Sequence, residues 1–241
     1  MSYEERTYRN YVRADNLVKF EVIEQETDLL ILAETNLYDK AMASVLRYRA
    51  ELEKYIESDP QFGKSFSPVA VRYNAPAIVK EMAAAARRVK VGPMAAVAGA
   101  IAEFVGLDLL PFSNEVIVEN GGDIFLKIKQ TRKVGIFAGK SPFSEKIALE
   151  VDPRETPFSI CTSSGTVGHS FSFGKADAVV VISGSGSLSD AAATRIGNAV
   201  MEISDIDPAL KIAKKIRGLE GVLIVKDDHL GALGKIKIVP L

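Results

Sequence analysis

"EVIVENGGDIFLKIK", residues 115–129, decides how this chain folds. Two apolar runs flank Asn120-Gly121-Gly122-Asp123, and Asn-Gly is the strongest short-range hairpin signal because both central positions of the tight turn take positive φ. The stretch therefore predicts two antiparallel strands. A parallel pair would need a crossover of a dozen or more residues, and four are present.

Downstream, "KVGIFAG" (133–139), "KIALEV" (146–151), "FSICTSS" (158–164) and "ADAVVVIS" (176–183) continue as strands, and "GVLIVK" with "GKIKIVPL" closes the chain. Upstream, "LVKFEVIE" alternates apolar and charged residues and is followed by "DLLILAE", which predicts an opening meander. Helices come in groups. Leu37, Ala41, Val45, Tyr48, Leu52 and Tyr55 recur at helical spacing up to Asp59-Pro60. Asn74 and Pro76 introduce "AIVKEMAAAARRVK", and Gly92-Pro93 precedes the small-residue helix "MAAVAGAIAEFVG". Further helices are read after Ser187 and over "PALKIAKKIRG". Strands and helices do not alternate regularly, so the order implies an α+β fold of antiparallel sheets with helices packed on them, as one unit over residues 1–241.

Thirty Lys and Arg against thirty-one Asp and Glu leave a net charge of −1, which argues against steering onto nucleic acid or a membrane surface. Cys161 is the single cysteine, so no internal disulfide can form, and with only His169 and His229 beside it the composition argues against a structural zinc site. The N-terminus "MSYEERTYRN" is charged where a signal peptide is apolar, and the apolar runs read as too short for a membrane helix. A cytoplasmic protein is expected.

Three segments can carry chemistry. Asn120, Gly121, Gly122 and Asp123 form either a plain hairpin turn or a bare stretch of backbone against a planar or phosphorylated ligand. "CTSSGTVGHS", residues 161–170, groups Thr162, Ser163, Ser164 and Gly165 with His169, either as a surface turn or as a phosphate cradle with a base. A hydrolase nucleophile there is disfavoured because the G-x-S-x-G elbow is missing. Cys161 reads as a small core residue. The third segment is "GSGSLSDAAATRIGNAV", residues 184–200, a strand–glycine turn–helix start that offers N–H groups to an anion but lacks the third glycine of a dinucleotide fingerprint. Asp190, Thr194 and Asn198 share one face of its helix. Asp190 and Thr194 could give two hard oxygens to Mg²⁺, or Ser187-Leu188-Ser189-Asp190 could be a capping box. Arg87, Arg88 and Lys90 read as a solvated helix face rather than a phosphate clamp.

Taken in order, "VENGGD", "KVGIFAG", "CTSSG" and "SDAAAT" resemble the N-x-G-G-D, G-I, T-S-G and A-D-x-x-A-T motifs of the ApbE superfamily, named for its FAD:protein FMN transferases, and most closely its shorter ApbE-like branch. The resemblance implies a duplicated T-fold-like α+β architecture. It implies Mg²⁺ on Asp190 and Thr194, and an FAD or FMN site lined by Asn120, Gly121, Gly122, Asp123 and Thr162, Ser163, Ser164, Gly165. It makes His169 the candidate catalytic residue, although the segment between the T-S-G turn and the histidine is shorter than in the transferases. The implied partners are a flavin nucleotide and, for a transferase, an acceptor protein. The alternative implied by the shorter branch is a non-catalytic accessory protein in sulfur assimilation, in homocysteine formation, or in cofactor metabolism, with Cys161 as the residue to suspect.

Overall fold

The structure, a computed structural model, describes residue 9, residues 16–166 and residues 173–241. A hairpin, β1 (Val18–Glu24) and β2 (Thr27–Ala33), opens the chain. Four helices follow: α1 (Tyr38–Ser58), α2 (Pro60–Lys64), α3 (Ala77–Val89) and, after a 3-10 turn at Pro93–Ala96, α4 (Val97–Leu109). A second hairpin, β3 (Val116–Asn120) and β4 (Asp123–Lys127), completes the first half. β5 (Arg132–Gly135) and β6 (Ile147–Val151) intervene. The second half repeats the order: β7 (Phe158–Ser163), β8 (Ala178–Ser183), helices α5 (Gly186–Gly197) and α6 (Ile206–Lys214), then β9 (Leu219–Lys226) and β10 (His229–Gly234). β11 (Ile238–Pro240) ends the chain.

The two hairpin–helix–hairpin halves join in one eight-stranded sheet of order β1-β2-β3-β4-β7-β8-β9-β10, antiparallel at every described pairing. β11, β6 and β5 form a separate three-stranded sheet. The antiparallel α+β expectation holds, and the decisive stretch folds as read, with Asn120 opposite Asp123 and Val116 opposite Lys127.

The helices cover one face of the large sheet, where Leu29, Ile31, Val118, Phe125, Val179 and Val181 meet Val45, Met82, Val105 and Ile196. The small sheet covers the other face, where Leu30, Leu32, Leu126, Ile160 and Val180 meet Leu149, Val151 and Ile136. Every residue of β2 and β8 is buried, which is why "DLLILA" and "AVVVIS" are unbroken apolar runs while the edge strand β1 alternates. Each fully buried Leu, Ile or Phe contributes about 1.5–3 kcal/mol. Close packing also explains the small residues of α4: a Cβ at Gly106 would lie 2.1 Å from the Phe125 ring.

Two local expectations are corrected. Pro76, not Asn74, precedes the first residue of α3. The segment Pro93–Phe112 is one 20-residue helical run with mean hydropathy 1.6, long and apolar enough by length and composition to cross a membrane. Its interruptions at Glu103 and Asp108 conceal that continuity in the sequence. In the fold α4 lies against β3, β4, α1 and α5.

Candidate functional site

The β3–β4 turn has Gly121 at φ 65° and Gly122 at φ 100°, a conformation that side chains resist. Space is not the constraint at Gly122, since an added Cβ would meet only Thr162 Cβ, at 4.0 Å. The turn is held from three directions. The Gly122 N–H donates to Glu119 Oε1 at 2.7 Å, Asn120 Nδ2 donates to the Ala98 carbonyl at 3.1 Å, and Asp123 Oδ1 accepts from the Thr162 N–H at 3.1 Å. The first and second motifs, 39 residues apart, therefore share a hydrogen bond.

α5 brings in the third motif. Its N-cap is Ser185, whose Oγ accepts from the Leu188 N–H at 3.3 Å, so the capping box ending at Asp190 does not form. The N–H groups of Gly186 and Ser187 are not open to an anion either. Glu103 Oε2, from α4, accepts them at 2.9 and 3.3 Å and the Ser185 hydroxyl at 3.3 Å. Asp190 performs the reciprocal service. Its Oδ2 accepts from the Gly99 N–H at 2.9 Å, and the Ala98 N–H supports it, so Asp190 caps α4 rather than its own helix. The helices can exchange caps because their backbones touch: a Cβ at Gly99 would lie 2.3 Å from the Gly186 carbonyl oxygen, and one at Gly186 2.4 Å from that of Gly99.

This crossing places Asp190 next to Asp123. Burial raises the Asp123 carboxyl well above its ordinary range, and the nearby Asp190 charge raises it further, against the Thr162 N–H and the Cys161 thiol, which lower it. Burial pushes Asp190 up to about 7, against the Gly99 and Ala98 N–H groups. Neither carboxylate has an ion-pair partner among the described residues. Cys161 Sγ lies 3.5 Å from the Gly186 carbonyl, and burial, then Asp123, raise its thiol far above the normal range. A pair of close carboxylates with no cation suits a divalent ion, and Asp190 retains partial exposure. Among the described residues no three His, Cys, Asp or Glu converge, so other oxygens would have to complete a metal's shell.

Thr194 is half-buried one turn beyond Asp190 on α5, and its hydroxyl has no hydrogen-bond partner among the described residues. Asn198, the third residue of that stripe, is the C-cap and accepts from the Phe173 N–H at 2.9 Å. Thr162 and Ser163 end β7, and Ser164 Oγ accepts from the Thr166 N–H at 3.1 Å. Gly165 is pinned by its N–H to the Ala176 carbonyl at 2.9 Å. Backbone contacts continue from Gly165 to Gly174 and from Gly174 to Gly197, at the end of α5. His169 lies outside the described residues. Arg87, Arg88 and Lys90 are exposed and make no ion pair among the described residues, as a solvated face should. Sequence reasoning missed Glu103 and Glu119. An acid set among the small apolar residues of α4 was a usable signal for Glu103.

A twofold hairpin–helix–hairpin sheet that gathers a glycine turn, a strand-end hydroxyl turn and a helix-borne aspartate defines an ApbE-like protein. The chain belongs to the family described as AbpE bacteria, which matches residues 9–232. It is 42% identical to a UPF0280 protein of Methanococcus aeolicus over 217 residues, 88% of each chain. A UPF0280 protein of Methanocaldococcus jannaschii is 42% identical over 224 residues, 90% of this chain and 91% of the relative. Among solved structures, the flavin transferase ApbE of Vibrio cholerae superposes with TM-score 0.57 over 90% of this chain and 96% of its own, at 13% identity. The flavinyl transferase ApbE of Pseudomonas stutzeri gives 0.56 over 90% and 93%, at 12% identity. At those identities the likeness is one of fold.

Proposed function

We propose that this protein binds FAD or FMN together with Mg²⁺ and that the site supports transfer of the FMN part of FAD to a hydroxyl of an acceptor protein. The observation that carries the reading is the Asp123–Asp190 pair, two close carboxylates without a cation, set between the glycine turn and the hydroxyl turn. The flavin-transferase names of the structural neighbours support it. Asp190 and Thr194 would hold the ion, and Asn120, Gly121, Gly122 and Asp123 with Thr162, Ser163, Ser164 and Gly165 would line the nucleotide. Bound Mg²⁺ would neutralise a diphosphate and polarise its phosphorus. The chain's own part is to present bare glycine backbone and hydroxyls to the nucleotide, and to have His169 take the acceptor hydroxyl's proton as the bond to the adenosine phosphate breaks.

The accessory alternative in sulfur metabolism would call on a reactive thiolate. Cys161 is buried with its thiol pushed up, the reverse of an activated cysteine.

Titration of FAD fluorescence with and without EDTA tests the binding reading. Saturable, EDTA-sensitive quenching is expected. Binding that EDTA leaves untouched removes the metal, and no binding removes the nucleotide. Covalent FMN on a serine- or threonine-containing acceptor peptide, lost in His169→Ala, would establish turnover.

A further inference from the structure

We infer that Arg9 is the positioning residue of the glycine turn: it fixes Glu119, and Glu119 fixes the Gly122 N–H. Arg9 is 6% exposed, each of its three guanidinium nitrogens donates, and Nη1 also lies 3.6 Å from Glu21 Oε1. Nε donates to Glu119 Oε2 at 2.6 Å, Nη1 to Asp28 Oδ1 at 2.7 Å, and Nη2 to the Asp28 carbonyl at 2.8 Å. Glu119 and Asp28 are 2% and 5% exposed. The second oxygen of Glu119 receives the Gly122 N–H at 2.7 Å. A chain of charge-assisted hydrogen bonds thus runs from residue 9 to the turn, across 110 residues of sequence.

The arrangement suits arginine alone. A planar fork can bridge a carboxylate on β3 to both a carboxylate and a carbonyl on β2, whereas an ammonium neutralises without fixing geometry. Without Arg9, two buried carboxyl groups would lose a guanidinium and its donors, and Glu119 already adds to the charge felt by Asp123. Glu119 would then lose the bond that orients its carboxylate, and with it the hold on Gly122. The residue at φ 100° would lose the bond that aims its N–H. Arg9 touches neither carboxylate of the Asp123–Asp190 pair. Its influence reaches the site through Glu119 and the turn, and its importance there rests on the reading of that turn as part of the nucleotide site.

The experiment uses full-length protein labelled with ¹⁵N-glycine, in the wild type, Arg9→Ala and the charge-preserving Arg9→Lys. An N–H donating to a carboxylate resonates far downfield. In Arg9→Lys, expected to fold, the Gly122 amide should move upfield while that of Gly99, which donates to Asp190, stays in place. The FAD dissociation constant should rise about tenfold, the scale of losing a supporting hydrogen bond, because the turn that lines the nucleotide is no longer held in one conformation. Arg9→Ala should show both effects more strongly. A lower melting temperature with an unmoved Gly122 amide and wild-type FAD affinity would make Arg9 merely structural and overturn the inference. A moved amide with unchanged affinity would overturn it as well. If the wild type binds no FAD while Gly122 still moves in Arg9→Lys, the nucleotide reading falls and the tether stands; if the wild type binds FAD and Gly122 does not move, the tether alone falls.

Discussion

The starts of α4 and α5 are capped by each other's carboxylates, yet the two caps end in different states. Glu103 receives two N–H groups and a hydroxyl, and its neighbouring carboxylate, Glu81, is a lesser influence than burial. Burial raises its carboxyl, and the donors it caps pull it back. Asp190 receives the N–H groups of α4 but also faces Asp123, in a pocket of burial that raises both. One carboxylate is consumed by the fold. The other is left with charge that the protein does not satisfy. A carboxylate whose acceptor capacity is spent on backbone N–H groups is a structural part; one held against a second carboxylate without a cation is the kind of group that the proposed ligand site would use.

The largest expected effect breaks the structural side of that contrast. Glu103→Ala leaves the Gly186 and Ser187 N–H groups without their acceptor in a buried helix crossing and should cost about 3 kcal/mol. Denaturant unfolding measures this. The stabilisation by Mg²⁺ plus FAD should persist in the variant at its wild-type size, since Glu103 lies on the consumed side. Loss of that stabilisation would place Glu103 in the ligand site and erase the distinction.

Much of this was legible in the sequence where the determinants are local. The glycines of Asn120-Gly121-Gly122-Asp123 announced the hairpin because positive φ at a tight turn is a property of those residues themselves, although the turn centres on Gly121-Gly122 and Asn120 stays in the strand. "AVVVIS" and "DLLILA" announced buried strands. The helix bearing Asp190 and Thr194 was visible, but the partner of Asp190 was not. Ser187-x-x-Asp190 satisfies a local capping rule, and the actual cap acts on Gly99, 91 residues away, because glycines at 99 and 186 let two backbones meet. Glu103 and Arg9 act over 83 and 110 residues. Contacts of that range are set by helix crossing and strand order, for which a single sequence carries no local rule. The motif order supplied the family, and the geometry supplied who holds whom.

A smaller effect sharpens the ligand side through pH. Asp190 in the folded protein titrates at about 7 against an ordinary 3.8, so its protonated form is favoured by folding. For a raised carboxyl the stabilising contribution is complete below pH about 4 and is lost as pH rises through 7, with a slope of at most about 1.4 kcal/mol for each pH unit. Ligand-free wild type should therefore lose stability between pH 5 and pH 8. Asp190→Asn should reduce that slope and, at pH 8 without metal, be more stable than wild type by about 1 kcal/mol, because a buried carboxylate charge is gone. The proton competes with the ion, so stabilisation by Mg²⁺ plus FAD should grow from pH 5.5 to pH 8 in the wild type and be absent in Asp190→Asn. Thermal melts across that range decide it. A slope that Asp190→Asn leaves unchanged would mean that Asp190 is spent, like Glu103.

The smallest effect is at Thr194, and it separates a metal ligand from a helix passenger. Its hydroxyl is half-buried, has no partner among the described residues and stands one turn from Asp190. Valine keeps the shape and replaces the hydroxyl with a methyl, so ligand-free stability should change by less than about 0.5 kcal/mol, the usual range for a substitution that breaks no buried contact. If the hydroxyl were only an ornament of the helix, Mg²⁺ plus FAD would stabilise Thr194→Val as much as wild type. As a metal ligand it makes a different prediction. Asp190 remains to hold the ion, so binding should weaken about tenfold rather than vanish, and at saturating ligand the stabilisation should shrink by about 1.4 kcal/mol. Melts of wild type, Thr194→Val and Asp190→Asn with and without Mg²⁺ plus FAD should therefore give a full, a reduced and a null shift. Equal shifts in the first two would leave the ion to the carboxylates and return Thr194 to the structural side.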